Sequence, residues 1–275
     1  MRFPGLAVGL LLALFLPAPA LAQTAAAVQL QPNPATARLG PLMWIGQTLN
    51  NCGPASVAEA LDYFGVHRTQ SQIAMVLRPN LPAYGMSLFG VPFYAESVGM
   101  ASVGGVGGTD DMLRTFIANG IPVIVADQVS ASDGTRHFRP IDGYDDVAQY
   151  FIGSDPYLGP NHRIGYTEFD QIWQISLNRW VTIYPPDKQP LVDAILAQTW
   201  NATQAEQGAL DASQTRIVKA PKMPWGYMDL ADAQIHLGDL AGAADNVAKA
   251  SSLGLPFEAH WLQLAIDRAS AAAAG

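Results

Sequence analysis

Cys52, His137, Asp155 and Gln47 carry side chains that together would support acyl transfer. Catalysis by a thiol needs a base to take its proton, a group to orient that base, and donors for the oxyanion. Cys52 is the single cysteine of the chain, so it has no intramolecular disulfide partner. It lies in Asn50-Asn51-Cys52-Gly53-Pro54-Ala55-Ser56, where a helix is expected to begin. Pro54 suits a first turn, because the N–H it lacks would have no intrahelical partner there. Val57, Ala60, Leu61 and Phe64 then recur at helical spacing, and Gly65 is a stop. A thiol at a helix N-terminus feels the positive end of the macrodipole, which favours thiolate. The flanking Asn-Asn and Gly-Pro predict an exposed position at a turn-to-helix junction. The alternative for a lone cysteine is a buried, inert side chain.

His137 opens an expected strand directly after the polar segment Asp133-Gly-Thr-Arg136. Asp155 ends the next strand of the same hairpin, which can bring its carboxylate beside the imidazole. An Asp-Pro after a strand is also an ordinary turn whose carboxylate caps backbone N–H groups. Gln47, five positions before Cys52, can offer an amide N–H to an oxyanion alongside the Cys52 backbone N–H. The other histidines are weaker candidates. His67 follows a helix stop, His162 lies in Leu158-Gly-Pro-Asn-His, which reads as a turn, and His236 and His260 read as surface or core residues of helices. One cysteine and scattered histidines give no recognised metal-ligand spacing. Gly104 to Gly108 is glycine-rich, but no Lys follows, so a flexible connection is expected there rather than a phosphate cradle. No cofactor is indicated.

The elements that must position these residues follow from periodicity and caps. Helices are expected at Thr69 to Leu77, with a Thr69/Gln72 capping box, at Phe93 to Val98, at Thr109 to Asn119 and at Tyr166 to Ile175. Strands are expected at Ile121 to Ala126, His137 to Gly143, Tyr150 to Ile152 and Trp180 to Tyr184, the last stopped by Pro185-Pro186. Pro140 inside a strand predicts an edge or a bulge. Residues 1–22 read as a secretory signal peptide: Arg2, an apolar run from Leu6 to Leu16, and the small-x-small site Ala20-Leu21-Ala22. Its removal takes the formal charge from −8 to about −9. That acidity argues against a nucleic-acid or anionic-membrane partner, and no later apolar run is long enough for a membrane helix. Residues 23–40 read as a flexible arm, 41–186 as one domain, and 187–275 as an Ala-rich helical extension. In that extension Trp225 to Leu237, Gly238-Asp239 and Leu240 to Ser252 resemble one tetratricopeptide-like hairpin, with a capping helix from Phe257 to Ala272. These helices are a candidate surface for a protein partner.

Several segments carry a resemblance. Gln47…Asn51-Cys52-Gly53-Pro54-Ala55-Ser56, His137-Phe138…Asp142-Gly143-Tyr144-Asp145-Asp146, Ser154-Asp155-Pro156-Tyr157-Leu158-Gly159 and Tyr166…Phe169…Trp173 resemble the secreted branch of the double-glycine leader peptidase family. The resemblance covers about residues 40–185. It implies an α+β, papain-like fold, a helix bearing the Cys packed on an antiparallel sheet, with the helical C-terminal extension outside it. It implies Cys52 as nucleophile, His137 as general base, Asp155 as orienting residue and Gln47 as oxyanion donor. Arg139-Pro140 departs from the apolar residues that relatives carry after the His. The expected function is an exported, secreted or periplasmic cysteine peptidase acting on a peptide or protein substrate. The alternatives are a catalytically weak peptide- or protein-binding module using the same cleft, and amidase or transpeptidase action on cell-wall peptides.

Overall fold

The computed structural model describes residues 28–40, 42–79 and 86–274. The signal peptide expected at 1–22 and residues 23–27 of the expected arm lie outside the described residues. The chain runs β1 (Thr36–Arg38), α1 (Cys52–Tyr63), α2 (Gln70–Leu77), α3 (Val91–Ser97), β2 (Ala101–Gly105), α4 (Asp110–Ala118), β3 (Val123–Gln128), β4 (Arg136–Asp145), β5 (Tyr150–Asp155), β6 (Gly159–Gly165), α5 (Tyr166–Trp173) and β7 (Trp180–Tyr184). Five helices follow: α6 (Gln189–Thr199), α7 (Ala202–Lys219), α8 (Pro224–Leu237), α9 (Leu240–Ser252) and α10 (Pro256–Ala274).

Among the described residues the strands form one antiparallel sheet, ordered β2-β7-β3-β4-β5-β6, with β1 added on β4. The architecture is α+β, as expected, with α1 packed on the sheet. The sheet is apolar on both faces, and alternation along each strand divides its side chains between two cores. Ile124, Ala126, Val181 and Ile183 meet Val57, Ala58 and Leu61 of α1. Val123, Val125, Trp180 and Tyr184 meet Leu113 and Phe116 of α4, Phe169 and Trp173 of α5, and Val192 and Ile195 of α6.

Local signals hold where the expected forces are local. Thr69 caps α2 with the full capping box, its hydroxyl accepting from the Gln72 N–H. Thr109 caps α4, its hydroxyl accepting from the Met112 N–H. Several expectations need correction. The arm is ordered strand at 36–38, paired to 143–145 of β4, because β4 outruns β3 and leaves its backbone groups open to a partner. Of the segment from Leu158 to His162 expected as a turn, only Leu158 lies in one; Gly159 onward is β6, paired with β5. β4 is an internal strand rather than an edge; the bulge half of that expectation appears as a register slip between Ile141 and Gly143. The glycine run is not a flexible connection. It includes the end of β2, and a Cβ on Gly108 would lie 2.6 Å from the Trp173 ring, so glycine here permits close packing.

The extension does not begin at a packing boundary. Val192 and Ile195 of α6 are buried in the core shared by α4 and the sheet. Trp200 donates its indole N–H to Val106 O (2.9 Å) and stacks edge-on against Trp180. Arg179, beside β7, is buried between Asp229 (3.1 Å) and Asp232 (2.6 Å) of α8. No described helix is long and apolar enough to cross a membrane.

Candidate active site

Cys52 is the first residue of α1, as its Gly-Pro context predicts. The segment ahead of it is held in place by α2. Gln70 accepts from the Thr48 N–H (2.8 Å) and donates through Nε2 to Gly46 O (2.9 Å). Arg78, at the C-terminal end of α2, donates to Asn50 O (2.6 Å). Asn50 adopts a left-handed φ of 57°, which Asn tolerates better than most residues. Gln47 N–H donates to Pro156 O (2.8 Å), which ties this loop to the turn after β5.

His137 and Asp155 come from neighbouring strands and meet directly. His137 Nε2 lies 3.0 Å from Asp155 Oδ1, and the two side chains are 3% and 0% exposed. With Nε2 donating to the carboxylate, Nδ1 is left as the ring nitrogen able to accept a proton. Ser56 of α1 donates to Phe138 O (3.1 Å), which fastens the Cys52 helix to the His137 strand. Gln47, Cys52 and His137 line one cavity of about 590 Å³, and Asp155 stands behind the imidazole. Met86 and Phe89 also line it, as do Trp225 and Asp229 of α8, so the helical extension forms part of the cleft wall. Arg136 of β4 places its guanidinium over the Trp225 ring (5.8 Å).

Asp155 does more than meet the imidazole. Its Oδ1 also accepts from the Tyr157 and Leu158 N–H groups, both at 2.8 Å, so the orienting and turn-capping readings describe one oxygen. Its Oδ2 lies 3.0 Å from Arg139 Nη1. Arg139 is wholly buried, with Nε 2.8 Å from Asp127 Oδ2 and Nη2 donating to Gln128 O (2.6 Å). Asp127 is the cross-strand partner of His137, and Arg139 stands two residues on, so the three side chains leave the same side of the sheet. Arg139, which breaks the apolar pattern after the His, is therefore the counter-ion of the Asp155 carboxylate. Which carboxylates it meets is set by the pairing of β4 with β3 and β5. A sequence signal did exist: an arginine on the His strand two residues away must share its face.

Electrostatics differ from the sequence expectation. Cys52 is 7% exposed rather than open to solvent. Burial pushes its thiol above the ordinary value; backbone hydrogen bonds from Phe138 and Gly53 pull it down less, and the Asp127 and Asp155 charges push it further up. Desolvation outweighs the helix terminus, and the expected lowered thiol pKa is not what this geometry produces. Burial alone would raise Asp155, but the His137 hydrogen bond and charge, with the Arg139 charge, hold it at about 2. Burial raises Asp127 to about 7, against the pull of Arg139 and with the push of Asp155. Glu59, two turns after Cys52 on the same face of α1, is fully buried. Desolvation lifts it to about 8, against the downward pull of the nearby Ser154 hydroxyl and of the Ile45 N–H, which donates to Oε1 (2.8 Å). The arrangement can hold a neutral thiol beside an oriented imidazole whose carboxylate partner stays ionised.

Residues 26–181 match the Peptidase C39-like family. Similar solved structures include a C39-like peptidase from Bacillus anthracis, with 16% identity and a TM-score of 0.46, the match covering 54% of this chain and 96% of that one. A double-glycine motif protease from an AMS/PCAT transporter, in complex with the leader peptide, has 19% identity and a TM-score of 0.41, covering 54% and 94%. The peptidase domain of Streptococcus ComA, a bifunctional ABC transporter of a quorum-sensing pathway, has 17% identity and a TM-score of 0.43, covering 51% and 96%. No curated protein matches the chain.

Proposed function

The chain belongs to the Peptidase C39-like family, and from that premise we propose that it is an exported cysteine peptidase working through Cys52, His137 and Asp155. The carrying observation is the buried 3.0 Å contact of His137 Nε2 with Asp155, which leaves Nδ1 as the base in a cleft that also holds Cys52. In this reading Nδ1 takes the Cys52 proton as sulfur attacks the substrate carbonyl. The oxyanion is met by the Gln47 amide and the Cys52 backbone N–H. The C–N bond breaks, the amine leaves with the proton from Nδ1, and water, deprotonated by the same nitrogen, hydrolyses the thioester. Asp155 keeps the ring in this tautomer and stabilises the imidazolium without being protonated itself. Export rests on the pattern of residues 1–22 and predicts a mature N-terminus at Gln23, read by sequencing the secreted protein.

The burial of Cys52 favours a second reading, a peptide-binding module of weak activity using the same cleft. Incubation with a diverse peptide library, read by mass spectrometry, separates the two. Cleavage products that disappear in Cys52→Ala support the peptidase. Peptide retained by both wild type and Cys52→Ala, with no products, overturns it in favour of the binder.

A further inference from the structure

Away from the cleft, one group of side chains has the chemistry of a ligand set. Glu206 of α7 and Asp232 and His236 of α8 place a carboxylate oxygen, a second carboxylate oxygen and an imidazole nitrogen within 4.8 Å of one another. Asp232 and His236 are four residues apart, on one face of α8. Glu206 comes from the adjacent helix and is 2% exposed. Neither of its carboxylate oxygens makes a hydrogen bond among the described residues. His236 Nδ1 lies 3.3 Å from Oε1 without a hydrogen bond, and the buried Arg179 guanidinium acts on the carboxylate from further off. A carboxylate withdrawn from water and left without donors is costly unless something neutralises it.

We propose that Glu206, Asp232 and His236 form a divalent transition-metal site, suited to zinc, that pins α7 to α8. Two ligands of a tetrahedral ion at about 2.0–2.1 Å stand about 3.3–3.4 Å apart. The His236 Nδ1–Glu206 Oε1 separation of 3.3 Å has that value. His236 Nδ1 lies 3.9 Å from Asp232 Oδ1, and all three ligand atoms fall within 4.8 Å, so a closure of up to about 1.5 Å brings in the third ligand. Two carboxylates and one imidazole suit a borderline cation better than calcium, which takes six or more oxygens, or copper(I), which takes sulfur. The support around the first ligands is in place. Asp232 Oδ2 is held by Arg179 at 2.6 Å, which leaves Oδ1 to turn toward the ion. The His236 side chain is 44% exposed, which gives the ion a path from solvent and leaves a position for water. Since Asp232 also anchors Arg179 of the core, the ion would stiffen the α8 wall of the cleft.

The test uses the full chain carrying Cys52→Ser, so that the cleft thiol takes no metal. Zn2+ is titrated calorimetrically, Co2+ is followed by its visible ligand-field bands, and Tm is recorded with each ion and with chelator. The expected result is one saturable site per chain, a higher Tm with ion, and binding weakened about tenfold or more by His236→Ala and by Glu206→Gln. His236→Ala removes a half-exposed ring and keeps the test valid if the buried Glu206 variant folds poorly. Absence of saturable binding overturns the proposal and leaves Glu206 and His236 as an ion pair. Binding of unchanged strength in His236→Ala places the ion elsewhere and also overturns it.

Discussion

At the scale of residues, the site turns on a competition between desolvation and stabilising charge. Cys52 sits where helix geometry favours thiolate, yet it is buried beside Asp127 and Asp155, and the balance raises its pKa. The thiol form is therefore the resting form, and in the proposed reaction deprotonation accompanies attack on the substrate. The native alkylation rate with iodoacetamide should stay low at neutral pH and climb through about pH 8.5 and beyond, the range of an ordinary or raised thiol. A rate already at its plateau near pH 6 would mean a preformed thiolate–imidazolium pair. Asp155 gives the second residue-scale prediction. Its Oδ1 serves His137 and two backbone N–H groups, while Oδ2 faces Arg139. An amide satisfies the first oxygen but turns its NH2 toward the guanidinium. Asp155→Asn should lower both the rate and the stability, the latter by on the order of 3 kcal/mol, as for a broken buried pair. Urea unfolding and a rate measured on the same sample check this. The wild-type contribution is present above about pH 4, where the unfolded Asp ionises, and is lost as pH falls through about 2.

At the scale of elements, α1 is the member most exposed to conflict. It must carry Cys52 at one end, and its Glu59 is buried against the sheet near Asp142 of β4 and Ser154 and Asp155 of β5. The protonated form of Glu59 is the one this packing accommodates. Because its folded pKa is raised to about 8, its stabilising contribution is full below the unfolded Glu value of about 4.3 and is lost as pH rises through 8. Glu59→Gln mimics the neutral acid and still accepts from the Ile45 N–H. The variant should match wild type near pH 4.5 and exceed it by a few kcal/mol, on the order of the shift, at pH 8 and above. Urea midpoints across that range measure it; parallel pH profiles for the two proteins would mean Glu59 is ionised in the fold. The element ahead of α1 is set by α2, whose Gln70 and Arg78 hold the 46–50 loop.

At the scale of the whole molecule, the helical extension is joined to the sheet in two ways. Apolar burial joins α6 through Val192, Ile195 and Trp200. Ion pairing joins α8 through Arg179. A chain ending at Lys188 should fail to unfold cooperatively, since it opens the core that α6 closes. A chain ending at Lys222 keeps α6 and α7 but strips Arg179 of both carboxylates. It should fold with a loss of about 3–5 kcal/mol or more, the scale for an unpaired buried charge. Calorimetry on the two truncations checks this: a sharp transition with unchanged Tm for the Lys188 chain would show that the sheet and first helices are self-sufficient. Arg139→Met in the intact chain extends the same logic to the cleft, because two buried carboxylates lose their shared cation.

Much of this was legible in the sequence because its causes are short-range. Thr69 and Gln72 specify a helix start within four residues, the Asn-Cys-Gly-Pro context places Cys52 at the first turn of α1, and apolar runs mark β3 and β7. Motif context also named Gln47, Cys52, His137 and Asp155, which the structure draws around one cleft. Other features depend on residues remote in the chain. Whether Cys52 is exposed depends on what packs around the start of α1, where Met86 lies against Gly53 and the Phe138 backbone reaches the thiol. Whether Arg139 disrupts or supports depends on Asp127 and Asp155 flanking it. Whether the glycine run bends or packs depends on Trp173, Trp180 and Trp200. Glu206 meets His236 only because α7 and α8 lie side by side. Caps and periodicity act through neighbours along the backbone and so were determined by the sequence alone. Burial, and with it the ionisation of buried groups, depends on what covers a side chain, and only the tertiary structure decided that.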